Sequence, residues 1–221
     1  MGGQIGSNEG DYLMAKREVS FWSNIGAEFT TRAFVLIPVA IGLNVVGGTF
    51  TRVLRLPLFL DVIGTILLAI IAGPWVAVVA GATTNLILGI TTSPSTAFFA
   101  IVQVAIALVT GWMAIRGWFR DVSDLRDYTR LFLAGVILAL TSTLTATPVQ
   151  VIILGGFSGA GQDAAVGALL ATGSSILEAV FATQFTIDIL DKLISITVAY
   201  LVARQIPERY LPSFGQWALY K

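Results

Sequence analysis

Residues 57–115 read PLFLDVIGTILLAIIAGPWVAVVAGATTNLILGITTSPSTAFFAIVQVAIALVTGWMAI, a stretch of 59 residues in which Asp61 is the only charged side chain. One bilayer crossing takes about 20 apolar residues, so this stretch predicts three consecutive crossings. Gly73-Pro74 and the run TTSPS at 91–95 interrupt it and predict turns between helices. The turns are short, which favours tight antiparallel helix pairs.

The composition of the whole chain extends this prediction. Charged residues make up 12% and apolar residues 56% of the 221 residues, and the mean hydropathy is +0.84. A soluble domain carries roughly twice that share of charge. We therefore expect an all-α membrane protein with six transmembrane helices, spanning 32–50, 56–73, 75–90, 96–115, 131–154 and 168–203. The predicted division is a disordered cytoplasmic tail at 1–18, a six-helix transmembrane domain at 19–203 and a cytoplasmic interfacial tail at 204–221.

The basic residues predict the orientation of this bundle, because cytoplasmic segments carry an excess of Lys and Arg. With six spans, ten basic residues fall on one side and only Arg52 and Arg55 on the other, with Lys192 inside the last helix. This places both termini in the cytoplasm. The expected location is the plasma membrane of a prokaryote, as a multi-pass protein in contact with the lipid bilayer.

Several function classes are disfavoured by what the chain lacks. It contains no cysteine and no histidine, so the common nucleophilic triads and most transition-metal sites cannot be built from it. The glycine-rich run GGFSGAG at 155–161 lacks the Lys-Ser/Thr of a phosphate-binding loop. No cluster of basic and aromatic residues indicates a nucleic-acid partner. We expect no enzymatic activity, no cofactor and no metal.

Polar side chains inside the predicted helices are the candidate site, because such residues tend to face a cavity or a partner helix. In the predicted topology most of them fall in the outer half of the membrane. Each of these side chains could instead form a hydrogen bond between two helices, and Asp61 could cap a helix. Asp188 and Lys192 are predicted to pair on the inner side, with Asp191 reaching the cytoplasmic interface or a partner. The predicted substrate-binding residues are Asn44, Asp61, Asn85, Gln103, Gln150, Glu178 and Gln184.

The segment Leu56–Ile90 also carries a family resemblance. It resembles the second and third helices of the substrate-capturing S components of energy-coupling factor (ECF) transporters. The residues that carry the resemblance are Leu56-Pro57, Asp61 followed by Ile63-Gly64-Thr65, Gly73-Pro74-Trp75, Gly81 and Thr84-Asn85-Leu86.

The resemblance implies a membrane subunit that captures a vitamin or related micronutrient with high affinity outside the cell. Such a subunit works with a transmembrane coupling protein and a pair of ATPases. Its site lies near the outer face, covered by the loop between helices one and two, here residues 47–55 with Gly47-Gly48 as a hinge. Many members carry Ala-x-x-x-Ala in the first helix where the coupling protein docks; here Ala33 and Ala40 are seven apart.

Two other functions are compatible with the same pattern: a membrane sensor that binds a ligand without moving it, and a stand-alone secondary permease. For the substrate, Asp61 and Glu178 together with Phe59, Phe98, Phe99 and Phe157 favour a ring compound with a basic group, such as a thiamine-like or pyrimidine compound. Arg52 and Arg55 leave an anionic vitamin such as pantothenate open.

Overall fold

The computed structural model describes residues 25–54, 56–120, 124–159 and 161–220, and all regular structure in this part of the chain is helical. Four elements are long and apolar enough to cross a bilayer: Thr31–Val53, Pro74–Thr91, Pro94–Ile115 and Leu125–Ile153. The all-α class is confirmed, and the long apolar helices are compatible with a multi-pass membrane protein. The predicted tail at 1–18 and the start of the predicted domain lie outside the described residues.

The helices follow one another with short connections. A 3₁₀ segment, Pro94–Phe99, leads into α5, and a π-helical turn, Val149–Ile153, ends α6. The helices are α1 Ile25–Glu28, α2 Thr31–Val53, α3 Ile63–Ile71, α4 Pro74–Thr91, α5 Ala100–Ile115, α6 Leu125–Pro148, α7 Asp163–Ala171, α8 Ile176–Gln205 and α9 Ser213–Tyr220.

The second predicted span is a helix only in its second half. The prediction of a helix over 56–73 is wrong for residues 56–62, which are irregular, and α3 starts at Ile63. Pro57 has no amide hydrogen to donate, and Leu60 adopts a positive φ of 49° that an α-helix does not allow. The backbone of this segment finds its hydrogen-bond partners in other helices, as described below.

The sixth predicted span is also divided. Instead of one helix over 168–203, the chain forms α7, a turn at 172–175 and then α8. Gly173, with φ of 94°, ends the first helix, and Ser175 caps the second. The side chain of Ser175 accepts from the amide of Glu178, whose carboxylate in turn accepts the amide of Ser175, which is a capping box.

The bundle has two ends, the tail end and the cavity end. At the tail end, residues 206–220 fold back against the helices: Arg32 Nη1 donates to the carbonyl of Leu211 at 3.0 Å, and Arg204 Nη1 donates to that of Leu219 at 3.3 Å. The helix α9 packs on the last turn of α3, where a Cβ at Gly215 would meet the backbone of Ile71. The cavity end is opposite, where α2 and α4 end and α8 begins.

The outer surface of the bundle is apolar and its interior holds polar groups. Large apolar side chains on the outer faces are exposed, among them Val35, Val46, Ile90, Leu144 and Leu201. Side chains of Asn, Gln, Asp and Lys are meanwhile buried between the helices. This reverses the arrangement of a water-soluble protein and suits a lipid environment. The helix α3 lies at the centre, with every residue from Gly64 to Ile71 buried.

Glu28 fixes the start of α4 at the tail end, because its carboxylate accepts the amide of Trp75 at 2.8 Å. Burial raises the pKa of Glu28 from 4.5 to about 7, although the amides of Trp75 and Val76 oppose the shift. A carboxyl group with a raised pKa binds its proton more tightly in the folded state than in the unfolded state. Folding stability should therefore fall as the pH rises from about 4.5 to about 7.

Replacing Glu28 with Gln should remove this part of the pH dependence, because the amide side chain does not ionise. We expect the melting temperature of the purified protein in detergent to drop less between pH 5 and pH 8 for Glu28→Gln than for the unmodified chain. Thermal unfolding followed by helix content at both pH values measures the difference. Identical slopes for the two proteins would show that Glu28 does not titrate in this range.

Candidate functional site

A cavity of about 480 Å³ lies at the cavity end of the bundle. This volume is in the range that binds small organic molecules, roughly 300–1,000 Å³. Its walls are formed by the irregular segment 56–62, the helices α2, α4, α5, α6 and α8, the 3₁₀ segment Pro94–Phe99, and residues 158, 159, 161 and 162 of the loop after α6. Its wall carries the aromatic rings of Phe59 and Phe99 and the polar side chains of Thr51, Arg52, Asp61, Asn85, Ser95, Thr96, Gln103, Ser142, Gln162, Gln184 and Lys192.

The cavity is deep because α3 is short. Nine residues at 1.5 Å each make α3 about 14 Å long, roughly half the thickness of a bilayer core. The other half of this passage is the irregular segment 56–62, which leaves room between the neighbouring helices. The floor of the cavity is therefore the N-terminal end of α3 in the middle of the bundle.

Asn44 of α2 caps this buried helix end. Its Oδ1 accepts the amides of Gly64 at 2.7 Å and Thr65 at 3.3 Å, at the second and third positions of α3. No residue of α3 or its N-cap supplies a side-chain cap of its own. The Nδ2 of Asn44 donates to the hydroxyls of Thr65 at 2.9 Å and Thr84 at 3.2 Å. One side chain thus satisfies amides that have no partner within the helix.

The network continues from Asn44 to the cavity wall. Thr65 Oγ1 donates to Gln103 Oε1 at 2.6 Å, and Gln103 Nε2 donates to the carbonyl of Asp61 at 2.8 Å. The same nitrogen is 3.4 Å from Oδ1 of Asn85, whose own Nδ2 donates to the carbonyl of Thr96 at 3.3 Å. Four α-helices and the 3₁₀ segment therefore meet in one hydrogen-bonded floor, which fixes the orientation of its side-chain amides.

A buried charged cluster on α8 forms the opposite wall. Lys192 Nζ lies 2.6 Å from Oδ2 of Asp191 and 3.2 Å from Oδ1 of Asp188. Asp188 also accepts bonds from Gln184, Ser142 and Thr143 at 3.0, 3.1 and 2.9 Å. The ammonium group and both carboxylates are thus paired, as buried charges must be.

Asp191 holds the irregular segment in place. Its Oδ1 accepts the amides of Phe59 at 2.9 Å and Leu60 at 2.8 Å, while Thr51 Oγ1 donates to the carbonyl of Phe59 at 3.0 Å. A Cβ at Gly47 would collide with the carbonyl of Leu60, so only glycine allows this approach of α2. Gly47 lies within α2, and the predicted covering loop at 47–55 is corrected to the segment 56–62.

The loop after α6 closes a further side of the cavity. Gln150 is fully buried, donates to the carbonyl of Gly156 at 2.9 Å and accepts from Nε2 of Gln162 at 2.8 Å. The carboxylate of Asp163 accepts the amides of Ser158 and Gly159 at 3.0 and 2.7 Å. The amides of Ser158 and Gly159 are therefore occupied by a carboxylate of the chain itself.

The structure separates the predicted site residues into two groups. Asp61, Asn85, Gln103 and Gln184 line the cavity together. The other three lie outside its wall: Asn44 is beneath the floor, Gln150 stands behind Gln162, and Glu178 is exposed in the capping box at the start of α8. Of the four phenylalanines, Phe59 and Phe99 line the cavity, whereas Phe98 and Phe157 are exposed.

Sequence reasoning identified Gln184 on α8 as a site residue but missed Lys192. The pairing of Asp188 with Lys192 is confirmed by a distance of 3.2 Å, yet Lys192 lines the cavity and Asp191 is buried instead of lying at an interface. The sequence did indicate a buried cluster, because Asp188, Asp191 and Lys192 lie in the apolar part of one helix. Charged residues there cost free energy unless they pair with other groups. Their depth was misjudged because the helix was assumed to start at 168 and the facing segment was assumed to be helical.

Comparison with protein-family models, with curated proteins and with solved structures finds no match to this chain. The cavity and the residues around it are therefore the evidence for function.

The cap supplied by Asn44 gives a direct test of the floor. Asn44→Ala removes the acceptor of two buried amides and the donor to two hydroxyls, and an unsatisfied buried group costs about 1–3 kcal/mol. We expect a loss of at least this size in unfolding free energy, measured by denaturation in detergent. Thr145→Ala is the control, because its hydroxyl bonds only to carbonyls of its own helix. Equal losses for the two variants would contradict the capping role.

Proposed function

We propose that this chain is the substrate-capture subunit of an ECF-type importer for a vitamin or related micronutrient. The observation that carries the proposal is the cavity of about 480 Å³, which combines two aromatic rings with oriented amides and charged groups. Such a composition binds small polar ring compounds. The resemblance of Leu56–Ile90 to S components supports the same function, since this stretch supplies the segment 56–62 and the floor.

The proposed topology has six membrane passages with both termini in the cytoplasm. The passages are α2, residues 56–71, α4, residues 94–115, α6 with its π-helical turn, and α8. At the tail end lie Arg32, Arg120 and Arg204, whereas Arg52 lies at the cavity end. The excess of basic residues at the tail end favours the cytoplasmic side there, so that the cavity opens to the outside.

Capture and energy input are assigned to different proteins in this proposal. Ser158 and Gly159 donate to the carboxylate of Asp163, and Lys192 of α8 is paired with Asp188 and Asp191. We propose that a transmembrane coupling protein and a pair of ATPases supply the energy and that this chain supplies affinity and selectivity. The outer faces of the helices are available to lipid and to such a partner.

Labelling of single introduced cysteines tests the topology, since the chain contains no cysteine of its own. Ser158→Cys, in the loop beside the cavity, should react with a membrane-impermeant reagent added outside intact cells. Ser213→Cys, at the start of α9, should react only after the membrane is opened. Reaction of both variants from the same side would exclude the proposed six-passage topology.

Capture without accumulation tests the function. The purified protein should release a bound small molecule on denaturation, identified by mass spectrometry. Liposomes that contain only this protein should bind that compound stoichiometrically and not concentrate it, because nothing in the proposal couples this chain alone to an energy source. Concentrative uptake by the protein alone would instead indicate a secondary permease. Binding without uptake even when a coupling protein and ATPases are supplied would indicate a sensor.

A further inference from the structure

Three charged side chains line the cavity, and they differ in how far other residues compensate them. Lys192 is paired with Asp188 and Asp191 at 3.2 and 2.6 Å, so carboxylates of the protein itself compensate its positive charge. Arg52, on the last turn of α2, is exposed and can be hydrated at the mouth. Asp61 is the remaining charged group, and it is half-buried.

Within the described part of the chain, the carboxylate of Asp61 makes no direct hydrogen bond or ion pair with another residue, and Lys192 and Arg52 attract it only from beyond contact distance. A capping role at α3 would explain a carboxylate at this position. That role is filled by Asn44, which takes the amides of Gly64 and Thr65. The Asp61 carboxylate is therefore left facing the cavity without a structural task.

An ionised carboxylate inside a membrane protein is costly unless something compensates its charge. Asp61 lines the cavity, and Asp188 and Asp191 stand behind Lys192. These three carboxylates meet two cations, Lys192 in the wall and Arg52 at the exposed mouth. The inner wall therefore carries an excess of negative charge. A bound cation would remove this excess, whereas a bound anion would increase the repulsion at Asp61.

The aromatic rings suit the same kind of ligand. Phe59, two residues before Asp61, and Phe99 both line the cavity. The ring of Phe59 already lies 5.7 Å from the ammonium nitrogen of Lys192, which places its face within the range of cation–π attraction. A cation beside Asp61 would thus meet a carboxylate and aromatic surface in one place.

We infer that the cavity selects small organic cations, with the carboxylate of Asp61 as their counter-charge. This inference rests on the proposed capture function and names the substrate class of the same site. The floor fixes the position of the residue, because Gln103 holds the carbonyl of Asp61 at 2.8 Å. Selectivity for positive charge follows from the wall alone and does not require a coupling protein.

A single thiol in the cavity wall measures this selectivity directly. Ser95 lines the cavity, and Ser95→Cys creates the only cysteine of the chain. The full-length protein in an uncharged detergent is reacted with methanethiosulfonate reagents that carry a trimethylammonium or a sulfonate group. We expect the cationic reagent to react faster, and Asp61→Asn to lower the ratio of the two rates by about tenfold or more, since a unit charge acts strongly at low dielectric.

Two control variants distinguish the loss of the Asp61 charge from a disturbance of the fold. Asp61→Glu keeps the charge and should keep the ratio. Glu178→Gln removes a carboxylate that lies outside the cavity and should also leave the ratio unchanged. All variants must be monodisperse in size-exclusion chromatography before labelling.

Protection from a neutral methanethiosulfonate reagent then tests binding. Phenyltrimethylammonium should slow labelling of the Ser95→Cys thiol more than benzenesulfonate does at equal millimolar concentration, and Asp61→Asn should abolish the difference. An unchanged rate ratio in Asp61→Asn, equal protection by the two compounds, or protection by neither would each overturn the inference. Labelling requires no uptake, so failure of the liposome experiment and failure of this one are distinguishable.

Discussion

The structure depends on one constraint: the N-terminal end of α3 lies in the middle of an apolar bundle, and its amides need partners that water cannot supply there. Asn44 provides them from another helix, accepting Gly64 and Thr65 at 2.7 and 3.3 Å. Because this cap comes from outside, α3 can begin at half depth and leave the space above it open. The cavity exists because a buried helix end can be capped in this way.

The same constraint governs the segment that leads into α3. Its backbone is irregular, so its amides are not satisfied by helical bonds and must be bound by side chains. Asp191 takes the amides of Phe59 and Leu60, and Lys192 neutralises the carboxylate that does so. The buried charged cluster is thus the counterpart of Asn44 on the opposite wall. Asn44 and the charged cluster both fix backbone segments at the edge of the cavity and leave the cavity itself open.

This arrangement links stability to selectivity. The groups that hold the backbone, Asn44, Asp191 and Lys192, have their polar atoms engaged with the protein. The carbonyl of Asp61 is held by Gln103, but its carboxylate makes no direct hydrogen bond or ion pair with another described residue. A polar group that is fixed in position but free of partners is available to a ligand without reorganisation, which is the condition for tight binding by a preformed site.

The sequence by itself determined the all-α class with long apolar helices, the turn at Gly73-Pro74 and four of the polar residues that line the cavity. These follow from local properties, namely hydropathy, residues that break helices and the cost of burying polar groups. Only the tertiary structure decided where α3 starts, that Asp191 binds the amides of Phe59 and Leu60, and that Lys192 faces the cavity. The physical reason is that buried amides and charges find partners on whichever distant segment approaches them. Asp191 and Phe59 are 132 residues apart in the chain, and no local sequence pattern predicts their contact.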